Sequence, residues 1–157
     1  SDLVTNVEKI EAHYFAGQAH LGNNNIDKAY DAFSKASALT TNEIGVESRF
    51  HMADILFQKG KLDESKAKCQ EIINDMPAYE EWIVRSYILL ADISAAKGDF
   101  AQAKATLNSI IDNYKGDPAL VELAKQKLEQ IEQMEKTGRR KPSTDTNDDE
   151  ELNFDNN

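Results

Sequence analysis

The side chains in this sequence that are best suited to metal binding are three histidines and the carboxylates near them. His13 and His20 are seven residues apart, and His51 is followed closely by Asp54. Ligand pairs on metal-binding helices are usually three or four residues apart, because one turn brings both to the same ion. The spacing therefore predicts that these histidines pack or face solvent, with no metal site and no cofactor.

Nucleophilic and acid–base chemistry has equally little support in the sequence. Cys69, the single cysteine, occupies a position of apolar helical periodicity, which predicts a buried, inert thiol. Asp54 and Asp92 fall at equivalent places in two similar segments, which register alone explains, although an acidic pair stays open. The sequence contains no glycine-rich phosphate loop, no GxSxG elbow and no Ser/His/Asp arrangement. We therefore predict that the protein is not an enzyme.

Charge and composition restrict the partners. The 157 residues carry 18 basic and 28 acidic side chains, a net charge of −10. This charge opposes nucleic acid as a partner, because phosphate recognition needs a basic surface. No apolar run approaches the roughly 18 residues needed to span a bilayer, so we expect no direct membrane insertion.

The elements that position these side chains are revealed by a pattern that occurs three times. An apolar residue is followed three positions later by a small one, and the small residues are Ala29, Ser65 and Ala103, spaced by 36 and 38 residues. A long helical pattern precedes each copy and a shorter one follows it. A repeat of this length indicates a stacked helical array.

Apolar periodicity predicts an all-α fold with three helix pairs and a C-terminal capping helix. The first helix is expected from about residue 2 to 21 and the fifth, the longest, from about 78 to 97. The predicted helical-repeat domain covers residues 1–137, with repeats at about 4–40, 41–77 and 78–116 and a cap helix at 117–137. Residues 138–157 are polar and mostly acidic, and are predicted to be a disordered tail.

These repeats resemble the tetratricopeptide repeat, a helix–turn–helix unit of about 34 residues. With Ala29, Ser65 and Ala103 at the family's small position in the second helix, its small position in the first helix falls on Gly17, Ala53 and Ala91. The resemblance covers roughly residues 4–116 and implies a right-handed α-α superhelix. The long spacings are similar to the variant repeats of bacterial cell-envelope proteins, including outer-membrane assembly lipoproteins. The expected location is the cell envelope or periplasm, or the cytoplasm, of a bacterium.

The resemblance also implies a ligand-binding face. In this family the first helices of the repeats line the concave face, and the ligand-facing positions flank the small residue. Carried over by register, these positions are Glu11, Tyr14, Gln18 and Leu21 in the first repeat, Glu47, Phe50, Asp54 and Phe57 in the second, and Arg85, Ile88, Asp92 and Ala95 in the third. Aromatic side chains beside carboxylates suit an extended or helical peptide with apolar anchors and basic character. The alternative is a solvated inner face with no ligand.

We therefore predict a non-catalytic scaffold that binds a protein or peptide. Because Leu3, Val4 and Val7 place apolar side chains at the outer end of the first helix, the chain is expected to be the C-terminal part of a longer array. The alternative function is a structural spacer or self-association module of a cell-envelope assembly, which leaves homo-oligomerisation open. Tyr79 and Trp82 are expected to pack over the second repeat, with an exposed anchor for a partner as the alternative.

Overall fold

The computed structural model describes residues 2–138 as a succession of helices. The seven helices of this region are α1 (Asp2–Gly22), α2 (Ile26–Leu39), α3 (Glu43–Gln58), α4 (Leu62–Asp75), α5 (Glu80–Ala96), α6 (Phe100–Asn113) and α7 (Pro118–Lys136). The described residues include no β-strand. The predicted all-α class is confirmed. The predicted tail from residue 139 onward, and the predicted exposure of Leu3 and Val4, lie outside what the structure describes.

The helix boundaries follow from local capping chemistry. Asn42 and Asp99 each accept a hydrogen bond from a backbone N–H in the first turn of the helix that follows, α3 and α6 respectively. Asp117 does the same for α7, whose first residue is Pro118. Gly60 adopts a positive φ of 76° just after α3, a conformation that glycine reaches without the steric cost of a Cβ.

The helices form two layers. Each helix packs against the next one in the chain, and in addition α1 contacts α3, α3 contacts α5 and α5 contacts α7. Within the described part of the chain, no contact of comparable extent joins α2 to α4 or α4 to α6. The odd-numbered helices are therefore closer together and form the inner layer of a curved stack, with α2, α4 and α6 as the outer layer. This arrangement confirms the predicted helical-repeat stack, while the exact repeat boundaries stay predictions.

The core runs along the stack at the places where consecutive helices cross. Ala29, Ser65 and Ala103, the residues that defined the repeat, are completely buried. The Ser65 hydroxyl donates a 2.7 Å hydrogen bond to the carbonyl of Ala53, the small residue of the preceding helix. A Cβ atom on Gly17 would lie 2.7 Å from the Phe33 ring, so the first crossing requires glycine. Small residues thus set the close approach of the two helices in each repeat.

Candidate functional site

The twelve predicted ligand-facing residues all lie on the inner-layer helices, but their exposure differs along the stack. Glu11 and Gln18 are exposed, and Ile88 and Ala95 are buried, with 4% and 5% of their surfaces accessible. The half-buried members of the set are Tyr14, Leu21, Glu47, Phe50, Asp54, Phe57, Arg85 and Asp92. The third repeat therefore presents less apolar surface on this side than its register suggests.

The aromatic side chains of the second repeat contribute to the core. Phe50 of α3 packs against α5, and its ring centroid lies 5.5 Å from that of Trp82. Phe57 packs against a buried cluster that includes Cys69 and Leu89. Because both rings join one repeat to the next, their removal would destabilise the stack whether or not a ligand binds them. Their assignment as peptide anchors stays a prediction.

Tyr14 is the aromatic residue at the first-repeat end of the inner layer. Its ring meets Phe33 edge to face at 6.2 Å, and its hydroxyl accepts a 2.6 Å hydrogen bond from the Gln18 side chain. Partial burial, together with the neighbouring Glu47 carboxylate, raises the pKa of Tyr14 well above its ordinary value of 10.0. The phenol is therefore neutral, and its hydroxyl is engaged with the Glu47 carboxylate.

His51 lies next to Glu47, one helical turn further along α3. The imidazole stacks on the Phe33 ring at 4.6 Å, and its Nε2 atom is 3.5 Å from a Glu47 carboxylate oxygen, too far for a good hydrogen bond. Burial lowers the pKa of His51 below 6.5, although the Glu47 carboxylate opposes that shift. At neutral pH the imidazole is therefore uncharged and is not a cationic partner for Glu47.

The charges of the third repeat are paired internally. Arg85 donates to the Glu81 carboxylate from two nitrogens at 3.2 Å, and its guanidinium lies over the Trp82 ring, 5.4 Å from the centroid. Asp92 forms an ion pair with Lys127 of α7, and the Lys127 Nζ atom lies 2.9 Å from the Asp92 Oδ2 atom. Burial raises the pKa of Asp92 and Lys127 opposes this, while Asp54 adds a smaller contribution in the same direction as burial.

The residues considered for chemistry are dispersed. His13 and His20 are half-buried on α1, and no group of three or more histidine, cysteine or acidic side chains suited to a metal ion occurs among the described residues. Cys69 is completely buried, as predicted, and burial raises the pKa of its thiol to about 12. A thiol held in the protonated form away from solvent is a poor nucleophile.

A separate groove of about 490 Å³ lies between α5 and α6 and contains none of the predicted ligand-facing residues. Its lining is Tyr87, Gln102, Ala105, Thr106, Ser109 and Ile110. Tyr87 of α5 is partly exposed in this groove.

Three ion pairs between helices or turns were not predicted from the sequence. The pairing of Asp92 with Lys127 was not anticipated, because α7 was treated only as a cap. Ion pairs from Lys59 to Asp27 and from Lys97 to Asp63 also went unnoticed, although Lys-Gly follows two of the first helices. The expected packing of Trp82 is confirmed, since it contacts the buried cluster of Val46, Ile72 and Met76.

Comparison with known proteins identifies one repeat directly. A family model of the tetratricopeptide repeat matches residues 85–117. This segment holds most of the third predicted repeat, with Ala91 and Ala103 at its two small positions. No curated protein gives a significant match, and neither does any solved structure. Among the described helices, none combines the length and apolar character that crossing a membrane requires.

Proposed function

We propose that this tetratricopeptide-repeat chain is a non-catalytic scaffold that binds a peptide with basic side chains and apolar anchors. Tetratricopeptide repeats are protein-interaction modules, which supports the general role. The proposed binding surface is the part of the inner layer formed by α1 and α3. We call it the open half, and its residues are Glu11, Tyr14, Gln18, Glu47 and Asp54.

The observation that carries this proposal is a set of carboxylates without a cationic partner. Among the described residues, Glu11, Glu47 and Asp54 form no ion pair with a lysine or arginine. Asp54 accepts a hydrogen bond only from Gln58, at 3.0 Å. Carboxylates that remain unneutralised on one surface attract lysine and arginine side chains and increase their rate of association.

The aromatic and apolar groups of the open half suit the rest of such a ligand. Tyr14 offers a half-exposed ring face, which attracts a cationic side chain as well as an apolar one. Leu21 is half-buried one turn after Gln18 and packs with the cluster around Phe33. A bound peptide would therefore place a basic residue between Tyr14 and Glu47 and an apolar residue toward Leu21.

The absence of catalysis is part of the proposal and rests on the titratable groups. His51 is stacked on Phe33, Asp92 is paired with Lys127, and Cys69 is enclosed in the core. Each group with a shifted pKa is thus engaged in packing or pairing, which favours a structural explanation of the shift. The location of the protein in the cell envelope, and its place at the C-terminal part of a longer array, stay predictions.

A structural spacer or self-association module without a peptide groove is the second candidate. The exposed Phe15 on α1 favours this function, since 59% of its surface is accessible to solvent. If the chain is a spacer, no charge-dependent peptide binding is expected. If it is a self-associating module, the molecular mass measured by light scattering should increase with protein concentration.

A peptide array distinguishes the two candidates. The labelled protein is applied to random peptides of equal length that are graded by their lysine and arginine content. Binding should increase with basic content, require at least one large apolar residue and weaken at high salt, because exposed charges are screened. Binding without preference for basic peptides, or its absence across the array, would contradict the proposal.

A further inference from the structure

One side of α1 resembles an internal packing surface but is uncovered. We call it the α1 end face and define it by Ala12, Phe15, Ala16 and Ala19. Ala12, Phe15 and Ala19 are exposed, and Ala16 is half-buried. The four residues recur at intervals of three, one and three positions, so they form one stripe along the helix.

The same stripe exists on α3 and α5, where it is covered. The equivalent residues, 36 positions later on α3 and 74 later on α5, are Ser48, His51, Met52 and Ile55, and Ser86, Leu89, Leu90 and Ile93. Six of these eight residues are buried, and His51 and Leu90 are half-buried. Residues at the same register positions are therefore buried at a junction on α3 and on α5, but they form an exposed surface on α1.

The covering element is the same at both internal junctions. Met52 and Ile55 form one buried cluster with Ala29 and Phe33 of α2. Leu89 and Ile93 form another with Cys69 of α4, against which Leu62 also packs. In each case the second helix of one repeat lies on the first helix of the next.

From this equivalence we infer that the α1 end face binds the second helix of a further repeat, which packs on α1 as α2 packs on α3. The α1 end face continues the established series of junctions, so the same kind of helix fits it. Ala16 and Ala19 stand where α3 has Met52 and Ile55, which leaves room for bulky apolar side chains on the incoming helix. This inference is independent of peptide binding by the open half.

A second copy of this chain does not offer a matching helix. Among the described helices, α2 is covered by α3, α4 by α5 and α6 by α7. The far end of the stack is also different in character, because the outer side of α7 exposes Glu129, Gln130, Glu132 and Gln133. A polar outer face is typical of a terminal capping helix, whereas the apolar α1 end face is typical of a junction.

The turn beside each junction contains an ion pair, whose formation reports independently that the two repeats are packed together. Lys59 pairs with Asp27 across the first junction, and Lys97 pairs with Asp63 across the second. Asn23 is the equivalent residue at the end of α1, where the register would place the lysine. Asn23→Lys should therefore gain a partner only when a further repeat, with its own aspartate, lies on α1.

The experiment extends the chain by one repeat. A copy of residues 41–79 replaces residues 1–5 and is joined directly to Asn6. The segment that links the copied α4 to α1 is then the same as the segment that links α4 to α5. The melting temperature should increase by about 5 °C or more, because stacked repeats stabilise one another, and amide exchange in α1 should slow. Phe15→Glu should abolish this increase but leave the unextended chain unchanged, while Leu39→Glu, at another exposed apolar residue, should preserve it.

The remaining outcomes also decide the inference. Asn23→Lys should lower the pKa of the copied aspartate in the extended chain, as Lys59 and Lys97 lower those of Asp27 and Asp63, and an NMR titration measures this shift. No increase on extension, or an increase that Phe15→Glu leaves intact, would overturn the inference. A dimer of the unextended chain that Phe15→Glu dissociates and the added repeat fails to displace would assign the face to a second copy, and would overturn it as well.

Discussion

The two ends of the inner layer use the same register positions in different ways. In the open half, Glu11, Glu47 and Asp54 have no lysine or arginine partner within residues 2–138. At the other end, Arg85 is paired with Glu81 and Asp92 with Lys127. The residues are equivalent by repeat, since Glu11 and Glu47 correspond to Arg85, and Asp54 to Asp92. Register determines where a side chain lies, and a partner on the same helix, as for Arg85, or on the helix packed beside it, as for Asp92, determines whether its charge is available to a ligand.

The helix that makes the difference is α7. It supplies Lys127 to Asp92, and its Leu120, Ala124 and Ile131 complete the core beside α5 and α6. Among the helices that the structure describes, none has the corresponding position beside α1, where the α1 end face is exposed. The stack is therefore closed at α7 and open at α1, both in its charges and in its apolar packing.

The largest expected effect comes from separating α1 and α2, the two helices of the first repeat. Gly17→Val should decrease the free energy of unfolding by about 3 kcal/mol, because its side chain collides with the fully buried Phe33. Urea denaturation measures this. Adding Phe33→Leu, which removes the colliding ring atoms, should restore part of the loss. Gly22→Val is the control on the same helix, since a Cβ there meets no atom within 4 Å. Equal losses at both glycines would show that close packing is not the cause.

The second prediction concerns the α7 end of the stack, where Asp92 is paired with Lys127. Lys127→Met should cost about 1–3 kcal/mol at neutral pH, because it leaves the half-buried Asp92 carboxylate without its cation. Burial already holds the pKa of Asp92 above its ordinary value of 3.8, and the loss of Lys127 should raise it further.

The pH dependence of this variant has a defined sign. The protonated form of Asp92 suits the folded state better, so the deficit of Lys127→Met should shrink as the pH falls from 7 through the raised pKa of Asp92. Adding Asp92→Asn should abolish that pH dependence. A deficit that stays constant down to pH 4 would mean that lost packing of the lysine stem, and not charge, explains the change.

A smaller effect should come from His51, which stacks on Phe33 between α3 and α2. Burial lowers the pKa of its imidazole, so the unfolded chain takes up this proton at a higher pH than the folded chain does. Stability should therefore decrease as the pH falls below 6.5, and His51→Gln should lessen that decrease. An NMR titration of the ring protons measures the pKa directly. A value above 6.5 would show that the Glu47 carboxylate outweighs burial.

The smallest effect is expected at the ion pairs of the outer turns. Lys59 and Lys97 lower the pKa values of Asp27 and Asp63, but both carboxylates are fully exposed. Asp27→Asn and Asp63→Asn should therefore leave the melting temperature unchanged within error, because solvent screens such pairs. A clear decrease that high salt abolishes would show that these pairs stabilise the junctions.

Much of this fold follows from the sequence, because helices and their small crossing residues leave a periodic signal. The burial of Cys69 and of Ala29, Ser65 and Ala103 was predicted from register alone. The site was harder to predict, since one-dimensional periodicity does not say which neighbouring helix meets a side chain. Ile88 and Ala95 were expected to face a ligand, yet both are buried, and whether they contact one stays untested. The partner of Asp92 comes from α7, 35 residues further along the chain, and no local pattern indicates it.

The most direct test compares two triple variants that change the net charge equally. Glu11→Gln, Glu47→Gln and Asp54→Asn remove the carboxylates of the open half, and Asp31→Asn, Glu64→Gln and Asp112→Asn remove one exposed carboxylate from each outer helix. The affinity of a basic peptide selected on the array is measured by fluorescence anisotropy for both variants and for the unaltered chain. The inner-layer variant should lose at least about tenfold, and the outer-layer variant less than about twofold. Equal losses would show that net charge alone attracts the peptide, and would contradict binding at the open half.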